Sequence, residues 1–521
     1  MSKSILIVPI LWFVVDAARI LGVFPDISYS HQVAFRPLMM ELSQRGHDII
    51  IFTTFPMNNS TLQNYTEVEL CLTSSVQNIN IYSINRLSEL LRALNVRSVI
   101  ISDETLSHPV MQRLISPNSG EKFDLIIVQS IFYDSLYALS VRFNAPIIAI
   151  SSIPLLSWQH FVFGNPLLAA YSPNSLTNLD ENMNLWERFV NLYSSLYQIY
   201  WYWYELIPAH EKISRKHFGD SVPPVHQLIS NITLLLSNFH PFIYPRANIP
   251  AIIPISGYRP VSQKEGLPQD LEKILNDAKQ GYVYFSLGSN IKSNTLSDER
   301  RNMLLRAFAK LPYKVLWKFE SEFLPDKPNN VIIRKWLPQQ EILAHPNIRL
   351  FVYQGGLQST EEAIGNGVPV IGFPFFADQF YNIKMLLVFT TGKMLSFKNT
   401  NEDEFRAAIL EVITNSSYKE NMLKMRDLLR DLPYDPLDNA VWWTEHVIRH
   451  KGAPHLRNKS RDMPWYQILL LDIMAVVIGA IILVVLVIIV FLAMIKRYLF
   501  RINKQLLPAK KRPMHNAKKQ Q

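Results

Sequence analysis

Short apolar runs alternate with amphipathic stretches along most of the 521-residue chain. In the first half this pattern predicts strands over residues 19–24, 48–53, 124–128 and 146–150, a helix over 32–45 that ends at Gly46, and another helix from about Ser135. From Gly281 the alternation restarts, and it predicts strands over residues 282–286, 313–319, 331–335, 350–353 and 368–372. Alternating strands and helices indicate β-α-β units, so the chain is predicted to be α/β, with two Rossmann-like domains joined around residues 250–281. Ligands of such sheets bind at the carboxyl ends of the strands, so we expect the site in the cleft between the domains.

A transmembrane helix is predicted near the C-terminus. Residues 473–495 are 23 consecutive residues without a charge, which as a helix can cross a hydrocarbon core of ~30 Å. A buried helix of a soluble protein is the alternative, but core helices rarely stay uncharged for so long. A basic tail follows at Lys496, and the positive-inside rule places this tail in the cytosol and the body in the lumen.

The N-terminus has the layout of a secretory signal peptide. Lys3 precedes an apolar run over residues 5–15, and Ala17 and Ala18 supply the small residues of a cleavage site. A first buried strand is the alternative. Together with the C-terminal anchor, the signal peptide predicts a single-pass type I membrane protein with its body in the lumen.

The net charge of +9 is confined to the tail. Residues 496–521 contain nine Lys or Arg and no Asp or Glu, which leaves 43 basic and 43 acidic residues in the rest of the chain. A nucleic-acid groove needs clustered cations, so the balanced body argues against a nucleic-acid partner. The single cysteine, Cys71, excludes a disulfide framework and a Cys/His zinc site.

Two features of the ends and loops suggest a compartment. Lys518 and Lys519, in the fourth and third positions from the C-terminus, resemble the dilysine retrieval signal of endoplasmic-reticulum membrane proteins. One more pair in a basic tail is the alternative. Sequons for N-glycosylation occur at Asn58, Asn59, Asn64, Asn231, Asn415 and Asn458. We therefore expect a glycoprotein of the endoplasmic-reticulum membrane.

The densest chemical pattern lies in two neighbouring stretches, WLPQQEILAHP at residues 336–346 and FVYQGGLQSTEEAIGNGVPVIGFPFFADQ at residues 351–379. Residues 351–353 end a strand, Gly355 and Gly356 form a tight turn, and residues 357–366 form a helix. The unpaired N–H groups at the start of such a helix, together with its dipole, suit a diphosphate.

Three side chains of the same stretches suit a nucleoside. Ser359 and Glu362 are three positions apart and share one face of the predicted helix. The Glu362 carboxylate can accept hydrogen bonds from two vicinal ribose hydroxyls, and Trp336 at a strand end offers a flat face on which a base can stack. Each residue alone has a structural alternative, core packing for Trp336 above all.

These stretches resemble the signature of the UDP-glycosyltransferase family, which contains vertebrate UDP-glucuronosyltransferases, insect UDP-glucosyltransferases and plant secondary-metabolite glucosyltransferases. The resemblance extends to FSLGS at residues 285–289 and to DNAVWWTEHVIRHKGAPHLR at residues 438–457. It covers nearly the whole chain, and the Gln-Gly-Gly form is similar to the insect type. It implies a GT-B fold, a UDP-sugar donor and a small lipophilic hydroxyl acceptor.

The resemblance also implies a role for each matching position. The donor positions are Trp336 for uracil, Gln339 for uracil or ribose, Glu362 for the ribose hydroxyls, Ser289, Gln354, Gly356, Gln358 and Ser359 near the diphosphate, and Asp378 and Gln379 for the donor sugar. Most relatives have histidine where this chain has Gln354. Glutamine donates a hydrogen bond but carries no charge, so the backbone and the helix dipole would supply more of the electrostatics.

The catalytic base is predicted to be His31. It lies just after the first strand, in SYSHQVAFRPL at residues 28–38, where the family keeps its catalytic histidine. Histidine suits proton removal from a hydroxyl at neutral pH. The family also uses an aspartate to orient this histidine, but Gln129 occupies the usual position. Asp134 is the candidate for that role, and a plain helix N-cap is its alternative.

The acceptor residues are not carried by any motif. Residues 157–204 are rich in aromatic side chains, which suit a pocket for a flat aglycone, contact with a membrane surface, or core packing. The chain has no D-X-D triplet and no G-X-G-X-X-G after its first strand, so we expect no metal, no cofactor and no dehydrogenase activity.

The resulting hypothesis is inverting transfer of a hexose, glucose first, from a UDP-sugar. Glucuronosyl transfer and a catalytically weak binding protein on the same fold are the alternatives, and the oligomeric state stays open. The predicted organisation is a signal peptide (1–18), an acceptor-binding domain (19–255), a UDP-sugar-binding domain (256–450), a juxtamembrane segment (451–472), a transmembrane helix (473–495) and a cytosolic tail (496–521).

Overall fold

The computed structural model describes residues 17–57, 62–77, 84, 86–257 and 266–506. Their strands are β1 (Arg19–Phe24), β2 (Asp48–Thr53), β3 (Tyr65–Glu69), β4 (Leu125–Gln129), β5 (Ile147–Ser151), β6 (Ile232–Ser237), β7 (Ile252–Pro254), β8 (Tyr282–Ser286), β9 (Lys314–Lys318), β10 (Val331–Arg334), β11 (Ile348–Tyr353), β12 (Val370–Gly372) and β13 (Gly392–Met394). The first helices are α1 (Tyr29–Val33), α2 (Arg36–Gln44), α3 (Ser74–Gln77), α4 (Leu87–Ser107), α5 (Pro109–Ile115), α6 (Ala138–Phe143), α7 (Ser157–Phe163), α8 (Leu185–Trp201), α9 (Ile207–Phe218) and α10 (Val225–Ser230). The later helices are α11 (Gln269–Asn276), α12 (Asp298–Ala309), α13 (Gln339–Ala344), α14 (Leu357–Gly365), α15 (Gln379–Val388), α16 (Glu402–Thr414), α17 (Ser416–Arg430), α18 (Pro436–Arg449), α19 (Trp465–Ile468) and α20 (Leu471–Leu506).

Two parallel sheets organise the body of the protein. The first has the strand order β3-β2-β1-β4-β5-β6-β7, and the second has the order β10-β9-β8-β11-β12-β13. Strands β4, β5 and β8 are buried along their whole length, as expected for parallel strands whose two faces are both covered. The predicted α/β architecture of two Rossmann-like domains is confirmed.

One predicted helix is broken in two. The helix expected over residues 32–45 is replaced by α1, which ends at Val33, and α2, which begins at Arg36 with Pro37 in its first turn. Proline has no N–H, and its ring clashes with the carbonyl four residues earlier, so one continuous helix cannot pass through this point. The break separates His31 on α1 from the core-packing helix α2.

The strand order of each sheet reverses beside its first strand. In the first sheet the reversal lies between β1 and β4, and in the second between β8 and β11. Such a switch point opens a crevice at the carboxyl ends of the strands. The segments that leave β1, β4, β8 and β11 at this edge contain most of the candidate residues.

The two halves belong to one compact unit that runs to Asn458. Helix α18 follows the second sheet and packs against α2 of the first half. There, Arg45 at the C-terminal end of α2 donates a hydrogen bond from Nη2 to Asp438 Oδ1 at 2.9 Å. The domain limits at residues 255 and 450 stay predictions.

A second unit begins at Lys459 and contains α19 and α20. Among the described residues, α20 is the one helix that is long and apolar enough to cross a membrane. It contains the predicted span at residues 473–495. The predicted signal peptide lies, except for its last two residues, outside the described residues, and so do Lys518 and Lys519.

Candidate active site

His31 faces a carboxylate from its own segment. The imidazole Nδ1 is 3.6 Å from Asp26 Oδ2, and this Nδ1 atom is buried with no hydrogen-bond partner among the described residues. Asp26 follows β1 by two residues, and α1 then presents His31 at the same edge of the sheet. This arrangement leaves Nε2 as the ring nitrogen that can approach a substrate.

The Asp26 carboxylate is held as an anion. Its Oδ2 accepts a hydrogen bond from the Tyr133 hydroxyl at 2.7 Å, and its Oδ1 accepts one from the Ser28 N–H at 2.7 Å. Arg97 Nη2 lies 3.8 Å from Oδ1. Burial alone would raise the pKa of Asp26, but His31, Arg97 and Tyr133 together hold that pKa well below its ordinary value. An ionised Asp26 can therefore stabilise a protonated His31.

Asp134, the predicted partner of His31, points elsewhere. Its Oδ1 accepts a hydrogen bond from the Tyr202 hydroxyl at 2.7 Å, while its Oδ2 is buried without a hydrogen-bond partner in the described part of the chain. Burial raises the pKa of Asp134 to about 7. The 3-10 helix Asp134–Tyr137 is wholly buried, which turns the carboxylate into the interior of the first half. The structure thus brings Asp26, and not Asp134, to His31.

Gln129, at the end of β4, also belongs to the Asp26 segment. Its Oε1 accepts a hydrogen bond from the Asp26 N–H at 3.3 Å. Strands β1 and β4 are neighbours in the sheet, so their carboxyl ends lie side by side. The carboxylate near His31 is therefore supplied by the segment after β1, while the end of β4 supplies a neutral amide.

On the second half, Glu362 is held by two amides. Gln339 Nε2 donates to Glu362 Oε2 at 2.6 Å and to Ser359 Oγ at 2.9 Å, and Gln340 Nε2 donates to Glu362 Oε1 at 3.1 Å. Burial raises the pKa of Glu362, and the two amides oppose that shift. A carboxylate has about four acceptor positions, so roughly two remain for the vicinal hydroxyls of a ribose.

Trp336 lies beside the His31 segment. It follows β10 by two residues and is 55% exposed. The Tyr29 ring packs perpendicular to it, with 4.8 Å between the ring centroids. Ser28 Oγ also donates to Asn290 Oδ1 at 3.0 Å, in the segment after β8. A base that stacks on Trp336 would thus be bordered by Tyr29 of the first half.

Gln354 lies at the switch point of the second sheet, between a glycine turn after β8 and another after β11. Gly288, after β8, has φ +79°, and a Cβ atom there would be 2.4 Å from Gln354 Nε2. Gly356 is the N-cap of α14. Gln354 is buried, and its Oε1 atom has no hydrogen-bond partner within the described residues. An amide, two glycine turns and a helix N-terminus together form a site that suits a diphosphate.

The two remaining diphosphate positions border this site. Ser289 directly follows Gly288, and Gln358 lies in the first turn of α14. Both side chains are half-buried. Their roles stay predictions, because both are placed by sequence position and burial alone.

Asp378, the predicted donor-sugar position, is the N-cap of α15 on the second half. Its Oδ2 accepts a hydrogen bond from Asn382 Nδ2 at 2.8 Å. Burial raises the pKa of Asp378, and the charge of His31 acts in the opposite direction.

The amide oxygen of Gln379 is already bonded within the protein. Its Oε1 accepts hydrogen bonds from the Phe375 N–H at 2.8 Å and the Phe376 N–H at 3.2 Å. The carbonyl therefore fixes the loop before α15, and the Nε2 group is left for a sugar hydroxyl. Asn382, Gln340 and Asp26 were not predicted from the sequence. Asp26 could have been found by the rule that led to His31, since both directly follow the first strand.

The chain matches a known protein family over nearly its whole length. The profile of the family described as UDP-glucoronosyl and UDP-glucosyl transferase matches residues 19–507. The chain belongs to this family. It is 35% identical over 508 residues to the UDP-glycosyltransferase UGT5 of Dactylopius coccus. This alignment covers 95% of this chain and 96% of that protein. The family resemblance on which the site predictions rest is confirmed.

A viral relative and a solved structure extend this comparison. The ecdysteroid UDP-glucosyltransferase of Spodoptera littoralis nuclear polyhedrosis virus is 28% identical over 492 residues, covering 88% of this chain and 93% of the viral protein. The crystal structure of the glycotransferase of kitacinnamycin superposes with a TM-score of 0.57 at 16% identity, covering 84% of this chain and 100% of that one. The structural similarity shows the GT-B fold. The protein is thus a UDP-glycosyltransferase of the glucosyl/glucuronosyl type.

We expect Glu362→Ala to weaken UDP binding by at least roughly 100-fold, because two ribose hydroxyls lose a charged acceptor worth about 1.5–3 kcal/mol per bond and about 1.4 kcal/mol is a factor of ten. Calorimetry with UDP measures this directly. The control is Glu420→Ala, which removes an exposed carboxylate on α17. Unchanged UDP affinity in Glu362→Ala would show that the ribose lies elsewhere.

Proposed function

We propose that this UDP-glycosyltransferase transfers glucose from UDP-glucose to the hydroxyl of a small lipophilic acceptor, with inversion at the anomeric carbon. One observation carries the proposal: His31 Nδ1 lies 3.6 Å from the Asp26 carboxylate, and Tyr29 of the same helix packs against Trp336 of the donor half at 4.8 Å between ring centroids. A base and a donor-sugar site on opposite halves of one cleft are the minimum that such a transfer requires.

His31, Asp26 and Gln354 each have a separate role in the reaction. His31 Nε2 takes the proton of the acceptor hydroxyl as its oxygen attacks the anomeric carbon. The bond from that carbon to the UDP oxygen breaks. The N-terminus of α14 and the Gln354 amide stabilise the negative charge of the departing diphosphate. Asp26 stabilises the imidazolium that forms, in the manner of the third member of a Ser-His-Asp triad.

The sugar and the acceptor are inferred from the relatives. The family description names glucosyl and glucuronosyl transfer, and the viral relative is named for UDP-glucosyl transfer to an ecdysteroid. These features support glucose as the sugar and a lipophilic acceptor such as a steroid or phenol.

A donor panel tests the proposal. The full chain, given a phenol and UDP-glucose, UDP-galactose or UDP-glucuronic acid in turn, is expected to form product fastest with UDP-glucose. We also propose that the diphosphate is bound without a metal ion, so the same rate is expected in EDTA. Preference for UDP-glucuronic acid would exclude glucose as the physiological sugar, and loss of activity in EDTA would exclude metal-free binding.

We propose a location as well, the endoplasmic-reticulum membrane with the body in the lumen. The apolar helix α20 and the basic residues from Lys496 support this topology. Protease treatment of sealed microsomes is expected to trim only the tail, and replacing Lys518 and Lys519 by serine is expected to let the protein leave the compartment. Digestion of the body with protection of the tail would reverse the topology.

A further inference from the structure

Helix α8 has its polar face inside and its aromatic face outside. Asn191, Ser194 and Gln198 are buried. Asn191 Nδ2 donates to the Ala169 carbonyl at 2.8 Å, and Gln198 Oε1 accepts from the Ser157 N–H at 2.9 Å. A helix on a water-exposed surface has the opposite polarity, with apolar residues toward the core.

The outward side of α8 and of the π-helical turn that follows it is an aromatic face, defined here as Trp186, Phe189, Tyr193, Leu196, Tyr200 and Tyr204. Each of these side chains is at least half exposed, up to 69% for Tyr204. Trp186 stacks on Phe189 at 5.4 Å between ring centroids, and Tyr200 stacks on Tyr204 at 4.9 Å. Residues 189–204 contain no charge. A continuous exposed apolar stripe of this kind marks a surface that another phase or molecule covers.

The composition of the aromatic face indicates what covers it. Four of its six members are Trp or Tyr, the residues that favour the boundary between headgroups and acyl chains. Over the 19 residues from Trp186 to Tyr204 the face extends for about 28 Å at 1.5 Å per residue. That geometry suits a helix that lies along a membrane surface with its apolar side in the interface.

A short segment connects the compact unit to α20. The compact unit ends at Asn458, and α20 begins at Leu471. The 12 residues between them, 459–470, reach at most roughly 43 Å even when fully extended. A body tethered by so short a segment to a helix that spans a bilayer experiences lipid at a high effective concentration.

We propose that the aromatic face of α8 is an in-plane membrane-docking surface, seated in the headgroup region of the bilayer that α20 spans. This contact is separate from the transmembrane anchor and from the UDP-sugar site. A second copy of the chain covering the same face is the competing arrangement, and the following experiment distinguishes it.

The experiment measures the depth of a spin label on the full chain. Cys71 is the only cysteine and is exposed, so Cys71→Ser gives a cysteine-free parent. Tyr193→Cys and Leu196→Cys place labels on the aromatic face, and Glu420→Cys places a control label on α17. Each protein is reconstituted at one copy per phosphatidylcholine nanodisc, and retention of UDP binding verifies its fold.

Seated in lipid, the labels at positions 193 and 196 are expected to show an oxygen-to-nickel accessibility ratio several-fold above that at position 420. A ratio equal to that of the control at both positions would overturn the proposal. In vesicles that hold many copies, dipolar broadening between labels at position 193, together with equal ratios in single-copy nanodiscs, would assign the face to a second copy and would likewise overturn membrane docking.

Discussion

Replacing His31 by alanine lowers kcat for hydroxyl acceptors by roughly 10²–10⁴-fold, the usual effect of losing a positioned general base. UDP affinity is expected to stay within about twofold, because the donor positions from Trp336 to Gln379 lie on the other half of the body. Steady-state kinetics and UDP calorimetry on the same preparation separate the two effects. An acidic phenol should suffer less than an aliphatic alcohol, since it needs less help to lose its proton.

The matched control is His226→Ala, which removes an exposed histidine of α10. This variant is expected to keep the parent kcat. If His31→Ala retains full activity with an aliphatic alcohol, another group removes the proton and the assignment of the base fails.

The pair Asp26→Asn and Asp134→Asn has the next largest expected contrast. Asp26→Asn is expected to lower kcat by roughly 10²–10⁴-fold, because asparagine cannot stabilise the imidazolium that forms on His31. Asp134→Asn is expected to leave kcat near that of the parent, since its amide oxygen can still accept the Tyr202 hydroxyl bond seen at 2.7 Å. Because burial raises the pKa of Asp134 to about 7, a neutral side chain at this position is expected to change kcat little.

The two variants test the geometry against the sequence-based assignment. A large loss in Asp134→Asn with full activity in Asp26→Asn would restore Asp134 as the partner of His31. Circular dichroism and UDP affinity verify folding for both variants, since Asp26 also accepts hydrogen bonds from Tyr133 and Ser28. Asp26→Glu provides a charged control, and partial recovery of kcat in it would support the electrostatic role.

Most interior strands, β6 excepted, could be predicted from the sequence for a simple physical reason. Parallel strands buried on both faces read as continuous apolar runs, so β1, β2 and β8 have the predicted bounds. Strands β3, β6, β7 and β13 were not predicted, although β6 reads ITLLLS and is an interior strand of the first sheet. β3 reads YTEVE, in which polar residues alternate with others, and β13 has only three residues. Short or half-polar edge strands resemble loops until their neighbours are known.

The two halves of the site differ in how far the sequence reveals them. The donor positions lie in one continuous stretch around the switch point, so spacing and a strand-turn-helix pattern locate them. The partner of His31 depends on which carboxylate the packing of β1 against β4 turns toward it. Sequence position favoured Asp134, whereas the side-chain directions in the folded chain select Asp26.

The stereochemistry of transfer tests the proposed function most directly. The full chain is incubated with UDP-glucose, whose glucosyl bond is α, and a phenol, and proton NMR reads the anomeric signal of the glucoside, which as an acetal does not mutarotate. Direct attack by an acceptor that His31 deprotonates predicts a β-glucoside, formed in equal amount with UDP. An α-glucoside, or UDP release with free glucose and no glucoside, would contradict single-step transfer to the acceptor.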